Sequence, residues 1–169
     1  KDTKGLVSIA DKANIDLSIV KSVVKSNQKR KTLLLNRVHD ILGKNIKNKK
    51  IVFLGVTFKP NTDDMRDSVS LNMIPYLHKK GVRISYYDPT GPKKEFNRLK
   101  NCNFFPKVNL ACENADLVIL HTEWDEFKSL DFNKLVKNKF ALYDLRNLYN
   151  PIDMQKKKIK YYSIGRPFF

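Results

Sequence analysis

A loop near the middle of the chain gathers lysine, arginine and aspartate side chains directly after a short apolar run. The apolar run is Ile51–Leu54, and the loop that leaves it reads Gly55-Val56-Thr57-Phe58-Lys59-Pro60-Asn61-Thr62-Asp63-Asp64-Met65-Arg66-Asp67-Ser68. Lysine can supply a positive charge to a phosphate, and arginine can bind one through its planar fork of donors. An apolar, helix-like pattern resumes after the loop, so the segment predicts a strand, a charged loop and a helix. Ligands of open α/β sheets bind at the carboxyl ends of strands, which makes this loop the first candidate site.

The elements that position this loop alternate between strand and helix from Lys49 onward. The patterns predict strands at residues 51–55, 82–87, 103–105, 117–120, 140–143 and 159–164, with helices at 68–79, 93–99, 109–114 and 132–137. The run at 117–120 is the most apolar, which predicts a central strand. Strands joined by helical crossovers form parallel sheets. The predicted fold class is therefore α/β, a Rossmann-like parallel sheet with helices on both faces.

Residues 1–48 have a different, purely helical pattern. They predict one helix that ends near Asn14 and a much longer helix that Asp16 caps and Gly43 terminates. Every residue between Lys25 and Lys31 is polar, so the middle of the long helix has no evident core face. Such a helix spans between domains or lies against a second subunit, and a simply exposed amphipathic helix is the alternative. We divide the chain into a helical region, 1–48, and an α/β domain, 49–169.

The predicted fold is of a nucleotide-binding type, but the glycine fingerprint of dinucleotide sites is missing. Gly55 is followed by Val-Thr-Phe-Lys-Pro rather than by the pattern Gly-x-Gly-x-x-Gly. Backbone glycines therefore cannot admit a pyrophosphate here, and side-chain cations must hold any phosphate. Asp88 ends the second strand, where a dinucleotide fold places its ribose acid. Because Pro89 follows, we interpret Asp88 as part of a turn.

Composition narrows the class of protein. Lysine and arginine (33) outnumber aspartate and glutamate (17), but the excess is scattered lysine, which is typical of a solvated surface. A basic nucleic-acid binder is an alternative that the low interleaving of aromatic residues argues against. No apolar run reaches the length of a membrane span and no signal peptide is visible, so we expect a cytoplasmic protein. Cys102 and Cys112 match no metal motif and predict reduced thiols, with no zinc site.

Five motifs, in this order along the chain, resemble the C-terminal half of the UDP-glucose 6-dehydrogenases, in the UDP-glucose/GDP-mannose dehydrogenase family. They are the loop at 55–68, Tyr87-Asp88-Pro89, Thr122-Glu123-Trp124-Asp125-Glu126-Phe127, Asp144-Leu145-Arg146-Asn147 and Tyr162-Ser163-Ile164-Gly165-Arg166-Pro167. The first residues resemble the segment that directly follows the family's Cys-Phe-Pro motif. One departure is Leu145, where the family has glycine.

The resemblance implies an NAD-dependent oxidoreductase that converts UDP-glucose to UDP-glucuronate, for polysaccharide biosynthesis, in two hydride transfers through a cysteine thioester. In that family an N-terminal domain holds NAD, a central helix carries the dimer contact and the C-terminal domain binds UDP. The implied partners are UDP-glucose and a second copy bound through the helix at 16–42, with no nucleic acid and no membrane. This chain lacks the NAD domain and the nucleophile, so we expect it to be inactive alone.

The resemblance also implies roles for residues on the NAD and catalytic side of the site. Asp2 matches an aspartate that positions the water which hydrolyses the thioester, although it could also cap a helix. Lys1 and Arg66 match residues that contact NAD. A salt bridge from Arg66 to Asp63, Asp64 or Asp67 is the structural alternative for Arg66, and both can hold together.

On the substrate side, the resemblance implies that Phe58, Lys59 and Arg146 bind UDP-glucose. Ordinary core packing is the alternative for Phe58, and a structural contact with Asp144 is the alternative for Arg146. Among functions, the alternatives are a fragment of a UDP-N-acetylmannosamine or GDP-mannose dehydrogenase, and a non-catalytic module that binds nucleotide sugars.

Overall fold

The computed structural model describes residues 2–166 and is built around a six-stranded parallel sheet. The strand order is β3-β2-β1-β4-β5-β6, and each neighbouring pair is parallel. The strands are β1 Lys50–Leu54, β2 Arg83–Tyr87, β3 Cys102–Phe104, β4 Leu117–Leu120, β5 Ala141–Asp144 and β6 Lys160–Ser163. The predicted parallel α/β sheet is confirmed, with β4 inside the sheet and β3 at its edge.

Helices connect the strands and cover both faces of the sheet. They are α1 Asp2–Lys12, α2 Ser18–Leu42, α3 Ser70–Lys79, α4 Val108–Cys112, α5 Phe132–Leu135 and α6 Pro151–Lys156, with 3₁₀ turns at Lys94–Phe96 and Asp125–Ser129. Sequence reasoning missed α6, although Asn150-Pro151 is a helix-start signal. The Asn150 side chain accepts a hydrogen bond from the Ile152 amide at 2.9 Å, which satisfies one free donor of the first turn.

Alternate residues of β1 enter two different cores. Ile51 and Phe53 belong to the core beneath α2 and α3, whereas Val52 and Leu54 belong to the core beneath α4, α5 and α6. Side chains of a strand point alternately to opposite faces, so a strand covered on both sides has no polar face. This is why β1 and β4 are continuous apolar runs.

The long helix α2 differs from its prediction at its N-terminus and agrees with it at its C-terminus. The predicted cap by Asp16 is wrong: Leu17 precedes the helix, no side chain caps it, and Asp16 lies 3.5 Å from Lys21 in an ion pair. The predicted end at Gly43 is confirmed, because this residue takes a φ of 88° that favours glycine. Within residues 2–166, no helix is both long enough and apolar enough to cross a membrane.

Candidate functional site

The loop after β1 starts with a glycine for which no other residue has room. Gly55 has a φ of +71°, and a Cβ added to it would lie 2.6 Å from Cβ of Thr122. The loop then turns back towards the start of α3, where the Ser68 and Ser70 hydroxyls donate to the Val56 carbonyl at 2.7 and 2.6 Å. The loop is therefore held against β4 on one side and α3 on the other.

A buried carboxylate from the neighbouring strand closes this turn. Asp88 is 1% exposed and accepts a hydrogen bond from the Val56 amide at 2.8 Å. Its other oxygen accepts from the Thr90 amide at 3.0 Å, which confirms the predicted turn, and lies 3.6 Å from the Lys93 ammonium. An amide that could face a dinucleotide pyrophosphate is thus taken by a side chain of the protein itself. This agrees with the missing glycine fingerprint.

His121 and Thr122, directly after β4, fix the backbone of the loop from beneath. His121 Nε2 accepts a hydrogen bond from the Ser70 amide at 3.0 Å, so its proton lies on Nδ1, which pairs with Thr122 Oγ1 at 2.9 Å. Thr122 Oγ1 in turn donates to the Thr57 carbonyl at 2.7 Å. Burial, and then the positive charge of Arg146, lower the pKa of His121 to about 3. Sequence reasoning assigned His121 no role, and its place directly after an apolar strand was the available signal.

Arg146, directly beyond β5, extends its guanidinium along the same edge of the sheet. Nε donates to the His121 carbonyl at 2.8 Å and Nη2 donates to the Phe58 carbonyl at 2.9 Å. A guanidinium has five N–H donors, so three donate to nothing within residues 2–166. The structural alternative, a contact with Asp144, is also present, but it is made by the Arg146 backbone amide at 2.8 Å and leaves the guanidinium donors unaffected.

Phe58 and Lys59 lie in the loop after β1, and the Phe58 carbonyl is the one that accepts from the Arg146 guanidinium. Phe58 is 48% exposed, which rules out the alternative that it is an ordinary core residue. Lys59 is exposed, and its carbonyl accepts from Thr57 Oγ1 at 3.1 Å, which fixes its backbone, while its ammonium forms no ion pair among residues 2–166. The loop after β1 thus presents an aromatic ring and a lysine, and the turn after β5 presents an arginine, while β4 between them is followed by His121 and Thr122.

Arg66 lies in the same loop and is held by Asp64. Its Nε is 2.9 Å and its Nη2 is 2.7 Å from the two carboxylate oxygens, and its side chain is 79% exposed. The hydrogen bonds from Arg66 lower the pKa of Asp64 to about 2. The predicted salt bridge is confirmed. The ion pair holds the guanidinium while most of the side chain stays exposed.

The N-terminal helix approaches this loop from the other side. Asp2 is exposed in the first turn of α1, where a carboxylate complements the helix dipole. The next residues, Thr3 and Lys4, line a cleft of about 350 Å³ together with Phe58 and Asp67, and the Lys4 ammonium lies 3.9 Å from the Asp67 carboxylate. Lys1 lies outside the described residues.

Asp144, which the sequence named only as a possible partner of Arg146, has a wider structural role. It is fully buried at the end of β5 and accepts hydrogen bonds from the Arg146 amide at 2.8 Å and the Tyr161 hydroxyl at 2.8 Å. It therefore positions the turn that carries Arg146. Leu145, in the family's glycine position, is not among the described residues with positive φ and packs against the first core, so the backbone accepts a side chain there.

The six-stranded parallel sheet, with cationic side chains at its carboxyl edge, has the architecture of nucleotide-binding α/β domains. Comparison with known proteins makes this specific: residues 52–151 match the UDP-binding domain of the UDP-glucose/GDP-mannose dehydrogenase family. The chain therefore belongs to this family, as its motifs predict.

Individual relatives agree with this assignment. The chain is 37% identical over 169 residues to the UDP-glucose 6-dehydrogenase of Rhizobium meliloti (strain 1021), and 35% identical over 170 residues to that of Rickettsia typhi (strain ATCC VR-144 / Wilmington). These matches cover 99% and 98% of this chain but only 39% of each relative. The chain thus spans about two fifths of the length of the curated relatives that it matches.

Solved structures share the fold. A UDP-glucose dehydrogenase from the archaeon Pyrobaculum islandicum superposes with a TM-score of 0.79 at 22% identity, over 96% of this chain and 35% of that one. A GDP-mannose dehydrogenase from Pseudomonas aeruginosa gives a TM-score of 0.72 at 17% identity, over 98% of this chain and 38% of that one. The same architecture therefore occurs in relatives named for different sugar nucleotides.

Proposed function

We propose that residues 49–169 bind the UDP part of UDP-glucose at the carboxyl edge of the sheet, and that residues 1–48 are part of the central dimerisation region. The complete protein would be a cytoplasmic, NAD-dependent UDP-glucose 6-dehydrogenase that supplies UDP-glucuronate for polysaccharide biosynthesis. The observation that carries the proposal is the Arg146 guanidinium. The carbonyls of His121 and Phe58 hold it in place, and its other three N–H groups have no hydrogen-bond partner among residues 2–166.

The roles of the site residues follow from their chemistry. Arg146 and Lys59 would neutralise the diphosphate, since a planar fork and a mobile ammonium together suit two adjacent phosphates. Phe58 would cover an apolar part of the ligand with its exposed ring. Asp2 would hold the water that hydrolyses the thioester, with α1 carrying it towards the same cleft.

The sheet edge of this domain does not fit a dinucleotide. The Val56 amide is already bound to Asp88, and the turn at Gly55 is filled by Thr122. NAD would accept the hydrides while bound to a domain outside this chain. Arg66 and Lys1 are the residues of this chain that we propose contact it. Burial raises the pKa of both Cys102 and Cys112 to about 12, so neither thiol is ionised at neutral pH. This supports a nucleophile that lies outside the chain.

Calorimetric titration of the 169-residue chain with UDP tests the substrate site. Arg146→Ala and Lys59→Ala are each expected to weaken UDP binding by roughly tenfold or more, because each removes a charge-assisted contact to phosphate. Arg98→Ala and Lys139→Ala are the matched controls, since both side chains are exposed and precede strands β3 and β5 at the opposite edge. Equal affinity in the site variants and the controls would refute the assignment.

The choice of sugar is a separate question within the same class. UDP-N-acetylmannosamine and GDP-mannose are the alternatives, and relatives named for them share the fold. The matches to proteins named UDP-glucose 6-dehydrogenase favour UDP-glucose. A non-catalytic nucleotide-sugar-binding module would bind UDP in the same titration. The two functions differ in the complete protein, because a non-catalytic module would not oxidise UDP-glucose with NAD.

A further inference from the structure

The cationic group of the proposed site has an anionic neighbour whose role the proposal does not explain. Glu123 Oε2 lies 3.0 Å from Arg146 Nε, and the two side chains are 37% and 33% exposed. Glu123 comes three residues after β4, on the loop that also presents His121. A carboxylate thus lies beside the guanidinium that would receive a phosphate.

The contact between the two groups is one of charge rather than of a directed hydrogen bond. The Nε proton already points to the His121 carbonyl at 2.8 Å, and Glu123 Oε2, although enclosed, has no hydrogen-bond partner within residues 2–166. Arg146 is oriented by the carbonyls of His121 and Phe58 whether or not Glu123 is ionised. Glu123 therefore changes the electrostatic potential at Arg146 more than it changes the position of Arg146.

Other charges around Arg146 do not duplicate this effect. Asp144 is buried below the turn, and its oxygens are engaged by the Arg146 and Tyr149 amides and by the Tyr161 hydroxyl. The Asp64 carboxylate is engaged by Arg66. Within the described residues, Glu123 is the carboxylate in ion-pair contact with the guanidinium of Arg146.

We propose that Glu123 sets the charge selectivity of this site: by offsetting Arg146, it favours a diphosphate diester over the free nucleoside diphosphate. The inference rests on the proposed function and adds a specificity-determining residue to it. A terminal phosphate has a second pKa near 6, so at pH 8 free UDP carries one more negative charge than its sugar ester. Without Glu123, the full positive charge of Arg146 would favour free UDP, which has the larger negative charge. With Glu123 present, the extra negative charge of UDP adds less to the binding free energy.

The experiment measures Kd for UDP and for UDP-glucose at pH 8 by calorimetry, on the 169-residue chain. In Glu123→Gln the ratio of Kd for UDP to Kd for UDP-glucose is expected to fall by about three- to tenfold, from one unit charge acting over several ångströms at a partly hydrated surface. The change should shrink as salt rises from 50 to 500 mM, because exposed charges are screened. Glu123→Ala, which also removes the charge, is expected to lower the ratio in the same way.

Two variants separate this effect from a general gain of positive charge or a change of shape. Asp125→Asn changes the net charge equally, two residues away, where the carboxylate is 82% exposed and paired with Lys128 at 2.6 Å. It is expected to leave the ratio unchanged, and Glu123→Asp, which keeps the charge, is expected to stay within about twofold of wild type.

The outcomes distinguish this inference from the proposed function. If wild type binds both ligands and neither Glu123→Gln nor Glu123→Ala lowers the ratio, Glu123 does not set selectivity, and the UDP site itself stands. An equal fall in Asp125→Asn would also overturn the inference, because the effect would then be non-specific. If wild type binds neither ligand, the proposed function fails and this inference fails with it.

Discussion

At the scale of single residues, the candidate site depends on side chains that fix backbone atoms rather than on ligand contacts alone. His121 illustrates this, because its imidazole is 2% exposed and accepts a hydrogen bond from Ser70, while its carbonyl accepts one from Arg146. The same residue thus connects α3 to the proposed phosphate contact. Burial and then the positive charge of Arg146 favour the neutral ring, and protonation of Nε2 would in addition place a second donor opposite the Ser70 amide.

The depressed pKa of His121 predicts how stability changes with pH. The folded value of about 3 lies below the unfolded value of about 6.5, so between these pH values the unfolded chain binds one more proton. The contribution of neutral His121 to the free energy of unfolding is complete above pH 6.5. It is lost as the pH falls from 6.5 towards 3, at up to about 1.4 kcal/mol per pH unit. Urea unfolding of wild type and His121→Gln between pH 7.5 and 4.5 measures this. The wild-type free energy should fall more steeply, and parallel curves would contradict the prediction.

At the scale of elements, the loop after β1 depends on the close approach of two strand ends. Gly55 leaves β1 with positive φ against Thr122, which follows β4, and this proximity allows the Thr122 hydroxyl to reach the Thr57 carbonyl. The amino half of α3 then receives the loop through Ser68 and Ser70. The register of β1 against β4 therefore determines the position of Phe58 and Lys59.

Replacement of Gly55 tests this arrangement. Gly55→Ala is expected to lower the free energy of unfolding by about 3 kcal/mol or more, because backbone strain and a 2.6 Å contact with Thr122 combine. Gly91→Ala is the matched control: φ is +85° there, yet nothing lies within 4 Å of the added Cβ, so only about 1–2 kcal/mol of strain is expected. Urea titration of both variants gives the difference. Equal losses would mean that the contact with Thr122 is unimportant.

At the scale of the whole molecule, α1, the turn after it and the first half of α2 expose apolar side chains that the sheet does not cover. Their exposed fractions are large, at Leu6 49%, Ile9 67%, Ile15 58%, Ile19 79% and Val23 46%. Farther along α2, Leu34, Val38 and Ile41 are buried in the first core. Within residues 2–166, the second half of α2 thus packs on the α/β domain, whereas the first half packs against α1 and keeps apolar side chains exposed, which supports the proposed homodimer through residues 16–42.

Sedimentation of the chain tests this proposal. Ile19→Asp combined with Val23→Asp is expected to shift a dimer to monomer, with at least about a tenfold rise in the dissociation constant, because two charges would be buried without partners. Ile152→Asp is the control, since Ile152 is 57% exposed on α6, far from α2 in the chain. A wild-type chain that sediments as a monomer at every concentration, or a dimer that the paired substitution leaves intact, would refute the proposed interface.

Local patterns were sufficient for most of the architecture. The six strands, the central place of Leu117–Leu120 and the end of α2 at Gly43 follow from apolar runs and from glycine, which are properties of neighbouring residues. The start of α2 was wrong because Asp16 pairs with Lys21 instead of capping. The family motifs also predicted that Phe58, Lys59 and Arg146 lie at the same edge of the sheet.

By itself, then, the sequence determined a parallel α/β domain of a sugar-nucleotide dehydrogenase family and the cations at its carboxyl edge. Only the tertiary structure decided what holds them: His121 and Asp144 beneath the site, Asp88 closing the neighbouring turn, and Glu123 beside Arg146. Apart from the local bond between Asp144 and the Arg146 amide, these contacts join residues that are far apart in the chain. Their geometry depends on strand order and register, which no local pattern contains.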